Sequence, residues 1–446
     1  MADWKLGAWA GNSVSGNGGN GAAHPSTTGR YVVVFNDEVR GDHAATAEAL
    51  RAVTGVTSIA STRDFAAGAL DFDQATAADA IVFAELGIAV VAAHPDQAVR
   101  LSAAGAADDR ILAVEPEHIL HAITEAPPVP SSYLLGYRDA VTDLCDRVIA
   151  TAAETTGQAN GHGFADTPLL TWGLQATKTN TSSRTGQGVS VAVLDTGFGL
   201  GHPDFAGRQI IAQSFIPGES PQDMHGHGTH CTGTACGPPS PSDSRRYGVA
   251  GGAQIMVGKV LSNSGSGTDT NILAGINWAM VNGCKVISMS LGADVPTVSF
   301  AYEQVGRRAL EAGSLIVAAA GNNARRRFGD PGFVGIPANS PSIMAVAAID
   351  EMLDIAHFSA RSNPVPGGQV DIAGPGVNVY SSWPTPPHNA ISGTSMATPH
   401  VAGIAALWAE ATGESGRSLW NVLTQAAREL PLPVQDVGAG LVQAPQ

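Results

Sequence analysis

Apolar and polar positions divide this chain into two stretches with different rhythms. In the first, residues 31–35 (YVVVF) form a β-branched run suited to a strand, 43–53 repeats its apolar positions at helical spacing, and 56–61 extends again. Further on, 88–93 reads as a strand, 97–104 as a helix and 111–114 as a strand. This β-α-β-β-α-β order, with an insertion between about residues 64 and 86, predicts a small ferredoxin-like α+β unit. From residue 189 apolar strands alternate with helical stretches. Strands are predicted at 189–194, 255–261, 286–290, 315–319, 342–348 and 377–379, and helices at 271–282, 300–312 and 418–430. The run Val286-Ile287-Ser288-Met289 is apolar on both faces, so the fold class is α/β, a parallel sheet with helices on each side. Residues 125–170 mix Pro, Gly, Thr and Asn around one helical patch at 137–153 and read as a linker. Residues 1–29, rich in Gly, Asn and Ser, read as a disordered leader. The expected division is therefore a leader at 1–29, a small unit at 30–123, a linker at 124–169 and an α/β domain at 170–446.

Composition narrows the function. A length of 446 residues allows two or three domains, and 24 basic against 39 acidic residues leave a formal charge of −15. The one basic cluster is Arg325-Arg326-Arg327, which argues against nucleic acid as a partner. No apolar run approaches the roughly 18 residues of a membrane span. The four cysteines (Cys145, Cys231, Cys236 and Cys284) are too few and too irregular for a disulfide framework, and buried free thiols are expected. The leader lacks the basic and apolar regions of a secretory signal. Either the protein stays in the cytoplasm, or its export signal is absent from this sequence or of another kind.

The chemistry centres on Gly393-Thr394-Ser395-Met396-Ala397-Thr398-Pro399-His400, followed by an Ala- and Gly-rich helical pattern with almost no charge. Ser395 falls at the N-terminus of that helix, where unpaired N–H groups and the dipole stabilise negative charge. Pro399 is expected in the first turn, where a proline removes no needed donor. Alone, such a serine is a cap worth about 1 kcal/mol. Upstream, however, Asp195 directly follows an apolar run in VAVLDTG, and HGHGTHCTGT places three histidines within six residues. A metal cluster must be weighed there, but no second group of ligands at suitable spacing accompanies the histidines.

Together these motifs resemble those of the subtilisin-like serine proteases, in the same Asp…His…Ser order, over roughly residues 170–446. The resemblance implies Asp195 as orienting carboxylate, His227 as base, Ser395 as nucleophile, and Asn322 in AAAGNN as oxyanion donor. Ser264-Gly265-Ser266-Gly267 and Ser290-Leu291-Gly292 resemble the edges that sandwich an extended peptide, and Gly335 the floor of the primary specificity pocket. Cys231 resembles the thiol of the proteinase K-like branch, with a packing role and sensitivity to thiol-binding metals. Asp204 matches a ligand of the family's strong calcium site, although Gly237-Pro238-Pro239-Ser240-Pro241-Ser242 replaces the loop that supplies the others. A structural calcium is the one cofactor implied, and none is required for the chemistry. The 30–123 unit resembles a subtilase pro-domain, with residues 31–35 and 111–118 as its edges. The expected protein is a monomeric serine endopeptidase acting on polypeptides and inhibited by its own N-terminal unit. A dedicated processing protease or peptide ligase, or an inactive scaffold, are the alternatives.

Overall fold

The computed structural model describes residues 27–75, 78–92, 103, 108–123, 163–242, 244–364 and 367–446. The expected linker helix at 137–153 and residues 1–26 of the leader lie outside the described residues. Of the expected helix at 97–104, Ala103 alone is described, and it is helical.

The N-terminal unit comprises β1 (Thr27–Phe35), α1 (His43–Thr54), β2 (Ile59–Ser61), α2 (Phe72–Ala75), β3 (Ala80–Phe83), β4 (Ile88–Ala92) and β5 (Ile111–Ala122). Its sheet runs β5-β1-β4-β3-β2. Two details differ from the sequence reading. The described part of β1 includes Thr27–Gly29, inside the expected leader, where Thr28 Oγ1 binds Glu117 of β5. On the side away from β1, β4 pairs antiparallel with β3, inside the expected insertion, while Ile59–Ser61 is a short edge parallel to β3. Helix α1 starts where the Asp42 carboxylate accepts from the N–H groups of Ala44 and Ala45, and ends at Gly55, whose φ of 70° suits glycine.

The C-terminal unit comprises α3 (Trp172–Ala176), β6 (Ser190–Asp195), β7 (Ile210–Ser214), α4 (His227–Cys236), β8 (Gln254–Lys259), β9 (Ser266–Thr268), α5 (Asp269–Val281), β10 (Val286–Met289), β11 (Leu291–Gly292), α6 (Phe300–Glu311), β12 (Leu315–Ala319), β13 (Met344–Ile349), β14 (Ile372–Pro375), β15 (Val379–Ser382), β16 (His388–Ile391), α7 (Thr394–Thr412), α8 (Gly416–Ala426) and α9 (Val434–Val437). A seven-stranded parallel sheet runs β14-β13-β12-β10-β6-β8-β7, with helices on both faces. Strands β7 and β14 escape the sequence reading: IIAQS is half polar, and IAGP carries the strand-breaking pair Gly-Pro. The expected strand at 377–379 lies outside this sheet, since β15 pairs with β16 in a separate hairpin. The direction of winding reverses between β6 and β10. Asp195 therefore stands at the carboxyl end of a central strand beside the switch point, where open sheets form their clefts.

The two units share a core. Along β1, Val33 and Phe35 pack with Leu50 of α1, whereas Val32 and Val34 join the cluster that includes Leu194, Ile276 and Val305. This explains why YVVVF is continuously apolar: the strand is covered on both faces. Helices α5 and α6 meet the N-terminal unit end-on. Glu115 accepts from the N–H groups of Phe300 (2.7 Å) and Ala301 (3.1 Å) and from the Ser299 hydroxyl (2.8 Å), capping α6. Glu117, buried beside Arg30, accepts from the Thr270 N–H at 2.9 Å at the start of α5. Arg308 of α6 is fully buried and donates to the carbonyls of Phe35 and Leu86 and to Asp37.

Candidate active site

Asp195, His227 and Ser395 are fully buried and converge from the end of β6 and the first turns of α4 and α7. His227 Nδ1 lies 2.7 Å from Asp195 Oδ1, which also accepts from the Thr196 N–H at 2.7 Å. Burial works against charge on His227, but the Asp195 carboxylate outweighs it and holds the imidazole well above the usual histidine range. His227 Nε2 has no hydrogen-bond partner, and the Ser395 hydroxyl donates instead to the Ser290 carbonyl at 3.0 Å. In this arrangement the Ser395 hydroxyl is not bonded to His227. The other two histidines of the motif take no part in this contact. His230 is fully buried on the Val379 carbonyl at 2.8 Å, with burial pushing its pKa down to about 3. His225, its pKa lowered chiefly by burial, lies with its ring centroid 6.2 Å from that of His227.

Pro399 is not in the first turn of α7. The helix begins at Thr394, which places Pro399 in the second turn, where its missing N–H leaves the Ser395 carbonyl without an intrahelical donor. That carbonyl instead takes the Ser290 hydroxyl at 2.8 Å and the Cys231 thiol at 3.6 Å. The proline therefore frees an acceptor that ties the Ser395 backbone to Ser290, just after β10, and to α4. Cys231 shares a face of α4 with His227, its sulfur 3.9 Å from Nδ1, and burial raises its pKa. Cys231, Cys236 and Cys284 are buried and free, while Cys145 lies outside the described residues.

Asn322 is oriented by Thr394, whose N–H (3.0 Å) and hydroxyl (2.9 Å) both donate to Asn322 Oδ1. The amide nitrogen is thereby turned outward and donates to the carbonyl of Ile123 at 3.1 Å. Asn323 has a different role, bonding Asp294 and the Phe333 carbonyl. Two positioning residues escape sequence reasoning. Thr394 is one, and Asp223 is the other: its carboxylate accepts from Thr196 Oγ1, from the N–H groups of His225 and Gly226, and from both polar groups of Thr229. Asp223 thus fixes the start of α4, and its place four residues before His227 was the available signal.

The chain fills its own cleft. Strand β5 pairs antiparallel with β9 on one side (Leu120 opposite Gly267, His121 opposite Ser266) and with β11 on the other (Ala122 opposite Leu291, His121 opposite Gly292). The Ala122 N–H donates to the Gly265 carbonyl at 2.9 Å, and that of Ile123 to the Ser290 carbonyl at 3.4 Å. A Cβ on Gly292 would meet the Ile123 side chain at 2.8 Å, and one on Gly265, whose φ is 81°, would meet His225 at 2.9 Å. Ser264 is exposed and bonds the hydroxyls of Ser262 and Ser266, outside this pairing. Gly335 packs against the Ala293 carbonyl, next to Gly292.

The expected calcium ligand is not in a calcium-like setting. The Asp204 carboxylate accepts from the Tyr247 hydroxyl (2.6 Å), the Ser242 N–H (2.8 Å) and His388 Nε2 (2.8 Å). Calcium needs six to eight oxygen ligands, whereas these neighbours are hydrogen donors and an imidazole. The site residues do not fit that ion.

Comparisons agree with this geometry. A family model described as the subtilase family matches residues 186–440. Subtilisin DY of Bacillus licheniformis is 39% identical over 235 residues, which is 52% of this chain and 81% of that protein. Thermitase of Thermoactinomyces vulgaris is 41% identical over 238 residues, 53% of this chain and 79% of the relative. The solved structure of sphericase superposes with a TM-score of 0.55 at 33% identity, covering 63% of this chain and 99% of that one.

Proposed function

The chain belongs to the subtilase family, and we propose that this serine endopeptidase is made as an autoinhibited zymogen whose first cut falls between Ile123 and Thr124. The observation that carries the reading is the hydrogen bond of 3.1 Å from the Asn322 amide to the Ile123 carbonyl, on a strand held between β9 and β11. That carbonyl sits where an oxyanion would form, so Ile123 occupies the position of the residue before the scissile bond. Residues 30–123 then act as the inhibitory pro-domain. Their tethered tail has a high effective concentration in the cleft and competes with outside polypeptides until it is cut and released.

In the reaction, the Ser395 hydroxyl rotates from the Ser290 carbonyl to His227, loses its proton to Nε2, and attacks the Ile123 carbonyl carbon. Asp195 stabilises the imidazolium through Nδ1–H, and the Asn322 amide with the Ser395 N–H receives the oxyanion. The proton passes from His227 to the leaving amine of Thr124. Water, deprotonated by His227, releases the acyl group. No cofactor enters these steps. Every catalytic position is filled, which favours an active enzyme over a scaffold.

The test is the size and N-terminus of the purified chain after incubation. Wild type shortens to a product that mass spectrometry reads from Thr124, and it reacts with a fluorophosphonate probe. Ser395→Ala stays full length and unlabelled. A full-length wild type that is stable and fully active on casein overturns the zymogen reading, while labelling without casein digestion points to a dedicated processing enzyme.

A further inference from the structure

Away from the Ser395 centre, three potential metal ligands meet between the turn after β6 and the β15–β16 hairpin. His202 is 5% and Asp204 8% exposed, the His388 side chain 13%, and one ligand atom from each lies within 4.8 Å of the others. We propose that His202, Asp204 and His388 form a binding site for a divalent transition-metal ion of the zinc class. Two imidazoles and one carboxylate are a donor set for zinc, cobalt or nickel, and a poor one for calcium.

The surrounding contacts orient the ligands as such sites require. His202 Nε2 donates to the Pro387 carbonyl at 2.6 Å, so the Nδ1 lone pair is the acceptor, taking the Asp204 N–H at 3.2 Å, a bond the ion would replace. A second nitrogen anchored on a backbone carbonyl is the usual support of a metal-binding histidine. His388 is held by stacking on Tyr380, with ring centroids 5.3 Å apart and planes at 20°. Its Nε2 is 2.8 Å from Asp204 Oδ2, and the Tyr247 hydroxyl steadies that same oxygen at 2.6 Å. The Ser242 N–H holds Oδ1 at 2.8 Å. When metal binds, His388 takes the tautomer protonated at Nδ1 and gives its Nε2 lone pair to the ion. Ligands of a tetrahedral zinc at about 2.0–2.1 Å stand about 3.3 Å apart, so the imidazole and carboxylate separate by only about half an ångström. Water completes the shell. The ion would clamp the turn to the hairpin at the position where the family expectation was calcium.

The experiment uses full-length protein carrying Ser395→Ala, which prevents self-digestion, and Cys231→Ala, which removes the other potential cluster among the described residues, that of Asp195, His227 and Cys231. After chelator treatment it is titrated calorimetrically with Zn²⁺ and with Ca²⁺, and Tm is followed. The expected result is one Zn²⁺ per chain with a raised Tm, no response to Ca²⁺, and affinity at least about 100-fold weaker in His202→Gln and His388→Gln. Co²⁺ bound to the parent should give the visible absorption of a four-coordinate site, a readout that needs no further variant to fold. Absence of that spectrum, zinc affinity unchanged in His388→Gln, or a Tm raised by Ca²⁺ alone overturns the proposal.

Discussion

Replacing Thr394 by valine keeps the shape of the side chain and removes one hydroxyl, so it tests how Asn322, the proposed oxyanion donor, is held. Asn322 Oδ1 rests on two donors, the Thr394 N–H at 3.0 Å and hydroxyl at 2.9 Å, while the amide nitrogen reaches Ile123 at 3.1 Å. Thr394→Val removes one of the two restraints and also the acceptor of the Gly321 N–H at 3.3 Å. A neutral hydrogen bond is worth about 0.5–1.5 kcal/mol net, which converts to a loss of roughly 2- to 12-fold in kcat. KM should stay near its wild-type value, because the amide binds the transition state more tightly than the ground-state carbonyl. Asn322→Ala should lose about 10²- to 10³-fold, a magnitude known from subtilisin itself. The decisive measurement is the double variant, assayed by steady-state cleavage of a peptide substrate with matured enzyme. If the hydroxyl acts by orienting the amide, adding Thr394→Val to Asn322→Ala costs about twofold or less. Full additivity, or an effect seen mainly in KM, would refute the reasoning.

Three further outcomes are expected. Ser395→Ala should abolish probe labelling and peptide hydrolysis while leaving circular dichroism and Tm close to wild type, and residual activity within tenfold would sink the nucleophile assignment. The rate of self-cleavage should fall on the acid side with a midpoint above 6.5, since the base must be neutral and Asp195 raises the His227 pKa, so activity is lost as pH drops through that raised value; a midpoint below 6.5 contradicts this. Glu115→Gln should weaken inhibition of the mature enzyme by an added fragment of residues 27–123 by roughly 2- to 30-fold, from about 0.5–2 kcal/mol of lost cap and dipole interaction at α6. An unchanged inhibition constant would show that the Glu115 cap contributes nothing to docking.

The sequence by itself determined what local periodicity and contiguous motifs can encode. The strand 315–319 is found where the apolar run places it, the helix from residue 300 lies within one residue of its expected end, and the polarity of 286–289 marks a strand covered on both faces. The Asp195, His227 and Ser395 motifs announce the family because each is written in consecutive residues whose backbone must take one conformation. Tertiary structure decided whatever depends on residues far apart along the chain. Ile123 meets Asn322 across 199 positions and Asp204 meets His388 across 184, and neither partner carries a local signal of the other. Thr394 looks like a helix-start residue until Asn322 is folded against it, and Pro399 looks harmless until the Ser395 carbonyl it frees finds Ser290 and Cys231. The same holds for β3, whose short apolar run gains its place in the sheet from β4 rather than from its own pattern. Side-chain chemistry can be read along one dimension, but a hydrogen bond between distant segments exists only once burial in a common core has fixed where both of them stand.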